Sequence, residues 1–148
     1  MPNPLQSPRS TSLGLLLARL PLGALFCIQG YKKLAVLGLA NFVSDHIKSV
    51  PHYMPPWFPK LFLNSLPFAE MALGAFIILG MLTRLSALLT SALLVSFIMV
   101  VGINDSTFPF HPNLLFLGNA LLLFFAGSGS IAVDAKLFGQ KNGGLSKH

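Results

Sequence analysis

A carboxylate inside an apolar run is the first place to look for chemistry in this sequence. Glu70, the only glutamate, lies in the stretch from Pro67 to Arg84 (PFAEMALGAFIILGMLTR), with no other charge before Arg84. In a bilayer such a group costs on the order of 3 kcal/mol unless a partner or a wet cavity receives it. Arg19, Asn119 and Gln29 also stand inside apolar stretches. Counted at 1.5 Å per residue from the side of the termini, Arg19 sits roughly 10 Å deep, Glu70 and Asn119 roughly 16 Å and Gln29 roughly 25 Å. An arginine side chain spans the first gap. Arg19, Glu70 and Asn119 are therefore expected to meet at one level, with Gln29 nearer the opposite surface.

Two readings of that cluster follow. In the first, Arg19 and Glu70 form an ion pair that fixes helix register, and Asn119 hydrogen-bonds between helices. In the second, the cluster lines a cavity for a polar ligand or a quinone head group, with Glu70 and Arg19 as the catalytic pair and Asn119 and Gln29 as further ligand contacts. A planar guanidinium suits an oxyanion or a carbonyl, and a buried carboxylate could move protons. Other residues carry less. His46, His52 and His111 fall in loops without a metal-ligand spacing, and no metal site is expected. Cys27 is the single cysteine, so neither an intrachain disulfide nor a CxxC pair exists, and it is read as packing. Gly127-Ser128-Gly129 follows no strand and reads as a helix end rather than a nucleotide site.

The elements that must position these residues are set by composition. Of 148 residues, 53% are hydrophobic and 9% charged, with mean hydropathy +0.71. Soluble domains carry roughly 25% charge, and so few charges could not cover a soluble surface. The expected class is an all-α polytopic membrane protein, a four-transmembrane-helix bundle whose main partner is the lipid bilayer. The net charge is +6. The cations lie mostly at the ends of apolar segments, where they anchor helices, and no basic patch interleaved with aromatics points to nucleic acid.

Residues 1–11 hold three prolines and read as a disordered tail. The membrane domain is expected over 12–137. Helix one spans about 12–37, starting at a Ser12 cap. It carries Arg19, Gly23, Phe26, Cys27, Gly30 and Leu34 on one face, with Lys32 and Lys33 marking the far interface. Residues 38–60 form a connection with a short amphipathic helix over Asn41–Val50, followed by a proline-rich stretch with Tyr53 and Trp57 as interface anchors. Helix two spans about 60–81. Pro67 kinks it, and Asn64 and Ser65 are placed to satisfy the freed backbone. A very short turn at Thr83-Arg84 makes helices two and three antiparallel neighbours. Helix three runs over about 85–102, with Ala87, Thr90 and Ser91 as a small-residue face suited to a partner helix. Helix four runs from Pro112 or Asn113 to about Phe125. Ile131–Phe138 reads as an interfacial tail, and 138–148 as disordered. Four spans put both termini on one side, and the distribution of Lys and Arg favours the cytoplasmic side.

Three stretches resemble one family. Arg19, Gly23 and Gln29-Gly30-Tyr31-Lys32-Lys33-Leu34 resemble the opening of DoxX-like proteins. Ala69-Glu70 through Gly74, Gly80 and Leu82-Thr83-Arg84 resemble their second-helix signature. Gly127-Ser128-Gly129 through Asp134 resembles their closing Gly-x-Gly-x-x-x-x-Asp. Gln29 departs from the histidine many members carry, and Ser128 and Ser130 depart from the usual close. The resemblance implies a four-helix bundle of the bacterial inner membrane. Related DoxD-type members are subunits of a thiosulfate:quinone oxidoreductase. By the same resemblance Arg19 and Glu70 match a recurrent buried pair, and Arg84 and Asp134 match cytoplasmic-face positions.

The expected function is a quinone-linked oxidoreductase subunit that binds a quinone or a small oxyanion between its helices. No cofactor site is evident in the residues themselves, and quinone is the one candidate. Electrons would pass directly between substrate and quinone, or come from a membrane redox partner; a homo-oligomer is the other candidate assembly. The alternative is a non-enzymatic assembly or scaffold subunit of a larger membrane complex. A small-molecule transporter is the weakest option, because the chain shows no internal repeat.

Overall fold

The computed structural model describes residues 8–47, 55–100 and 112–138. Helix α1 (Pro8–Tyr31) runs on through a π-helical segment, Lys32–Val36, in which Leu37 N–H donates to the Lys32 carbonyl at 2.9 Å. Helix α2 (Leu39–His46) follows a left-handed Gly38, and then come α3 (Phe58–Leu79), α4 (Thr83–Val100), α5 (Pro112–Ala126) and α6 (Val133–Phe138). Helices α1, α3, α4 and α5 form the four-helix bundle. Helix α1 packs most closely against α3, and α4 against α5. Ser10–Val36 and Phe58–Leu79 are long and apolar enough to cross a bilayer, and Thr83–Met99 and Pro112–Ala126 are shorter apolar helices.

The seam between α1 and α3 is built on glycine. A methyl group on Gly23 would lie 2.7 Å from the Gly74 carbonyl oxygen, and one on Gly30 would lie 2.6 Å from the Pro67 carbonyl oxygen. Both are closer than a Cβ can sit, so only glycine lets the two backbones approach this far. The seam also fixes register. Arg19 lies against Gly80, Gly23 against Gly74 and Ile78, and Gly30 against Pro67 and Met71. Helices α1 and α3 are therefore antiparallel. The core between the helix pairs is Leu22, Phe26, Ile77, Leu94 and Leu123. A second cluster, Phe42, Leu63 and Leu66 with Phe97 packed on it, lies beneath α2.

Several sequence expectations shift. Residues 8–11, read as tail, form the first turn of α1, where a proline is tolerated. Ser12 is not a cap but a tertiary contact: its hydroxyl accepts Ser130 N–H at 3.1 Å and Ser130 O–H at 2.7 Å. The turn between α3 and α4 is Gly80-Met81-Leu82, with Gly80 left-handed (φ 67°). Asn64 and Ser65 donate to the carbonyls of Lys60 (2.7 Å) and Phe62 (3.1 Å), not to the Leu63 carbonyl that Pro67 leaves without a donor. The small-residue face of α4 belongs to the chain's own core. Ala87, Thr90 and Ser91 are buried, and Ser91 O–H bonds the Ala87 carbonyl at 2.8 Å. The expected tails at 1–7 and 139–148, the end of the amphipathic helix beyond Ile47, and Tyr53, His52 and His111 lie outside the described residues.

Candidate functional site

The register of α1 on α3 divides the predicted cluster in two. Arg19 packs at Gly80, ten residues from Glu70 and so roughly 15 Å away along the axis of α3. The two do not pair. The glycine seam, and not the position of each helix end, sets how far one helix slides along the other.

The first group surrounds the α3–α4 turn. Arg19 is fully buried, and its Nη2 donates to the Ile131 carbonyl. Asp134, at the start of α6, accepts the backbone N–H groups of Leu82 (2.7 Å) and Thr83 (2.8 Å). Its own N–H donates to the Gly80 carbonyl at 3.0 Å. A carboxylate at the first turn of α4 satisfies donors that the helix leaves open and complements its dipole. Asp134 is also near enough to act electrostatically on Arg19. The arrangement clamps α1, the α3–α4 turn and α6 together. Ile131–Phe138 is thus docked on the bundle through the Ile131 carbonyl and Asp134.

The second group is centred on Glu70. Its Oε1 pairs with Lys33 Nζ, while Oε2 is buried without a partner in the protein. The Lys33 ammonium lies 5.3 Å from the centre of the Phe42 ring and 5.2 Å from that of Phe97, within cation–π range of both. Phe42 comes from α2, Phe97 from α4, Lys33 from the π segment and Glu70 from α3. Four elements therefore converge on one ion pair beneath α2. A π-helical turn widens the helix at this place, and such turns are frequent at functional sites.

The remaining predicted residues join neither group as expected. Asn119 Nδ2 donates to the Ala18 carbonyl at 2.8 Å and ties α5 to α1. Gln29 is exposed on α1. Lys33, expected as an interface anchor, is the residue that sequence reasoning missed. The signal was present: Arg19, Phe26 and Lys33 recur every seven residues, which places Lys33 on the inward face and Lys32 outside it. Among the described residues, no group of three His, Cys, Asp or Glu side chains comes together.

The family model for DoxX matches residues 14–103. The chain belongs to the DoxX family. With its apolar helices, that membership makes it an all-α, four-helix membrane protein. The DoxX match includes Arg19, Lys33, Glu70 and the whole glycine seam, and it ends before Asn119 and Asp134. Neither a curated protein nor a solved structure matches the chain.

Proposed function

We propose that this DoxX protein is a quinone-linked oxidoreductase subunit of the bacterial inner membrane, with both termini cytoplasmic, and that the quinone head group docks at the Lys33–Glu70 pair. The observation that carries this reading is a buried carboxylate with one oxygen on Lys33 and the other without a partner in the protein. The surrounding residues fit such a ligand. Lys33 has three N–H donors and gives one to Glu70, which leaves donors for a quinone carbonyl. Phe42 and Phe97 flank it with flat apolar surface. Reduction of a quinone to a quinol takes up two electrons and two protons. Glu70 would hold and pass protons at Oε2, Lys33 would orient the carbonyl, and the electrons would come from a partner subunit or a reductant bound beside the site. Arg19 and Asn119 are engaged elsewhere, on the carbonyls of Ile131 and Ala18.

A second reading, a non-enzymatic assembly subunit, is favoured by that same use of Arg19, Asn119 and Asp134 as internal clamps. One experiment separates the two. The protein is purified gently from its native membranes, and quinone per chain is quantified by mass spectrometry. Near-stoichiometric quinone that disappears in Glu70→Gln and Lys33→Met, with both variants still inserted, is the expected result. Absence of quinone from wild type, with a protein partner co-purifying, replaces the redox reading with the assembly reading.

A further inference from the structure

The described residues contain five buried side-chain polar atoms without a hydrogen-bond partner: Arg19 Nε and Nη1, Thr83 Oγ1, Thr90 Oγ1 and Glu70 Oε2. All four residues are at most 1% exposed. They are not scattered. Arg19 lies at the α3–α4 turn, where Thr83 begins α4. Thr90 is seven residues further along α4, roughly 10 Å deeper on the same face. Ser86, also buried, lies between them. Continuing that face by seven residues reaches Phe97, whose ring flanks Lys33 beside Glu70. Because α3 and α4 are antiparallel about the turn, Glu70 stands level with the turn of α4 just beyond Thr90. Thr83 and Thr90 thus share the face of α4 that leads by spacing from the turn, where Arg19 lies, to Phe97 beside the Lys33–Glu70 pair.

A hydroxyl in an apolar helix usually satisfies itself on its own backbone. Three described helical serines do so: Ser91 bonds the Ala87 carbonyl, Ser96 the Leu93 carbonyl at 2.7 Å, and Ser65 the Phe62 carbonyl. Thr83 and Thr90 do not. Each buried group left unmade costs about 1–3 kcal/mol, whereas interior water commonly satisfies polar groups of this kind. A row of orphans that ends on a carboxylate is what a chain of ordered water would serve.

We propose that Arg19, Thr83, Thr90 and Glu70 line a hydrated file that delivers protons from the terminal face of the membrane to Glu70. A proton taken from bulk water beside Asp134, which is half-buried at that face, passes along the hydroxyls and ends on Glu70 Oε2. Asp134 offsets the Arg19 charge that would otherwise repel it. The opposite end is stopped by Lys33 and the Phe42 ring. The purpose of the file rests on the reading that Glu70 exchanges protons, but its existence does not.

The test uses silver ion, a small thiol-reactive probe, on the full-length chain with Cys27→Ala. Membrane vesicles of each orientation are treated, and the remaining thiol is labelled after denaturation. Arg84→Cys, exposed at the turn, identifies the preparation that presents the terminal face. In that preparation, silver should block labelling of Thr83→Cys and Thr90→Cys and spare Leu94→Cys, one turn on and buried in the apolar core. Thr90→Cys spared like Leu94→Cys, or blocked only from the other face, overturns the proposal. Should the cysteine variants not fold, Thr90→Val decides by its melting temperature. In a dry core, replacing an unpaired hydroxyl by a methyl group raises Tm, which overturns the file. In a hydrated file, Tm stays level or falls. Neither readout involves a quinone, so failure of the redox reading and failure of the file are separately visible.

Discussion

Lys33 decides what Glu70 can be. With the ammonium present, the buried carboxylate is half of an ion pair; without it, an uncompensated charge would sit in an apolar bundle. Breaking a buried pair by removing one partner costs about 3–5 kcal/mol, while replacing both partners by neutral groups is often tolerated. Lys33→Met is therefore expected to lower the melting temperature in detergent sharply, and the double variant Lys33→Met/Glu70→Gln to recover most of the loss. A single variant as stable as wild type would mean that the pair does not hold the bundle. At this scale the sequence was half legible. Glu70 stood out because no other glutamate exists and its neighbours are apolar. Its partner did not, because two adjacent lysines at a helix end look alike until the turn of the helix selects one. The seven-residue step from Arg19 through Phe26 makes that selection: Lys33 is half-buried and Lys32 exposed.

Among the elements, the α1–α3 seam is the most specific feature. Gly23 and Gly74 bring carbonyl oxygens to within 2.7 Å and 2.6 Å of where a partner Cβ would sit, whereas a Cβ on Gly118 of α5 would meet nothing within 4 Å. Overpacking of this kind costs about 1–3 kcal/mol, and a helical glycine replaced by alanine without a clash gains up to about 1 kcal/mol. Gly23→Ala should destabilise the protein in a thermal series read by size-exclusion chromatography, and Gly118→Ala should leave it unchanged or more stable. Equal behaviour of the two would show that the seam has room for a methyl group at Gly23. The inward face of α1 was readable from spacing, since Arg19, Gly23, Phe26, Cys27 and Gly30 recur along it every three to four residues. The helix start was not, because residues 8–11 extend α1 above a Ser12 that is tied to a serine 118 positions later.

For the whole molecule, the terminal face is held by Asp134. This carboxylate binds the first N–H groups of α4, and its own backbone bonds Gly80, so α6 closes a ring through α1, α3 and α4. Asp134→Ala removes a helix cap, an effect of about 0.5–2 kcal/mol. Hydrogen exchange at the Leu82 and Thr83 amides should quicken markedly in that variant, while amides around Lys33 and Glu70 keep their wild-type rates. Unchanged protection at Leu82 and Thr83 would show that the turn holds itself without α6. The small-residue face of α4 belongs to this scale too. Spacing identified Ala87 and Ser91 as an interface, but spacing cannot say whether the other side is a partner or the same chain. Here it is the same chain, because α4 packs most closely on α5.

The sequence by itself determined that this is an all-α membrane protein of four helices, that Arg19, Glu70 and Asn119 are buried or partly buried inside it, and that glycine lines one face of α1. Those properties follow from composition and from a periodicity contained in single helices. The pairing of those residues was decided only by tertiary structure. Register between helices depends on how far two backbones can approach, and a shift of a few residues moves a side chain by several ångströms. The glycine seam set that register, sent Arg19 to Ile131 beside Asp134, and left Glu70 to Lys33.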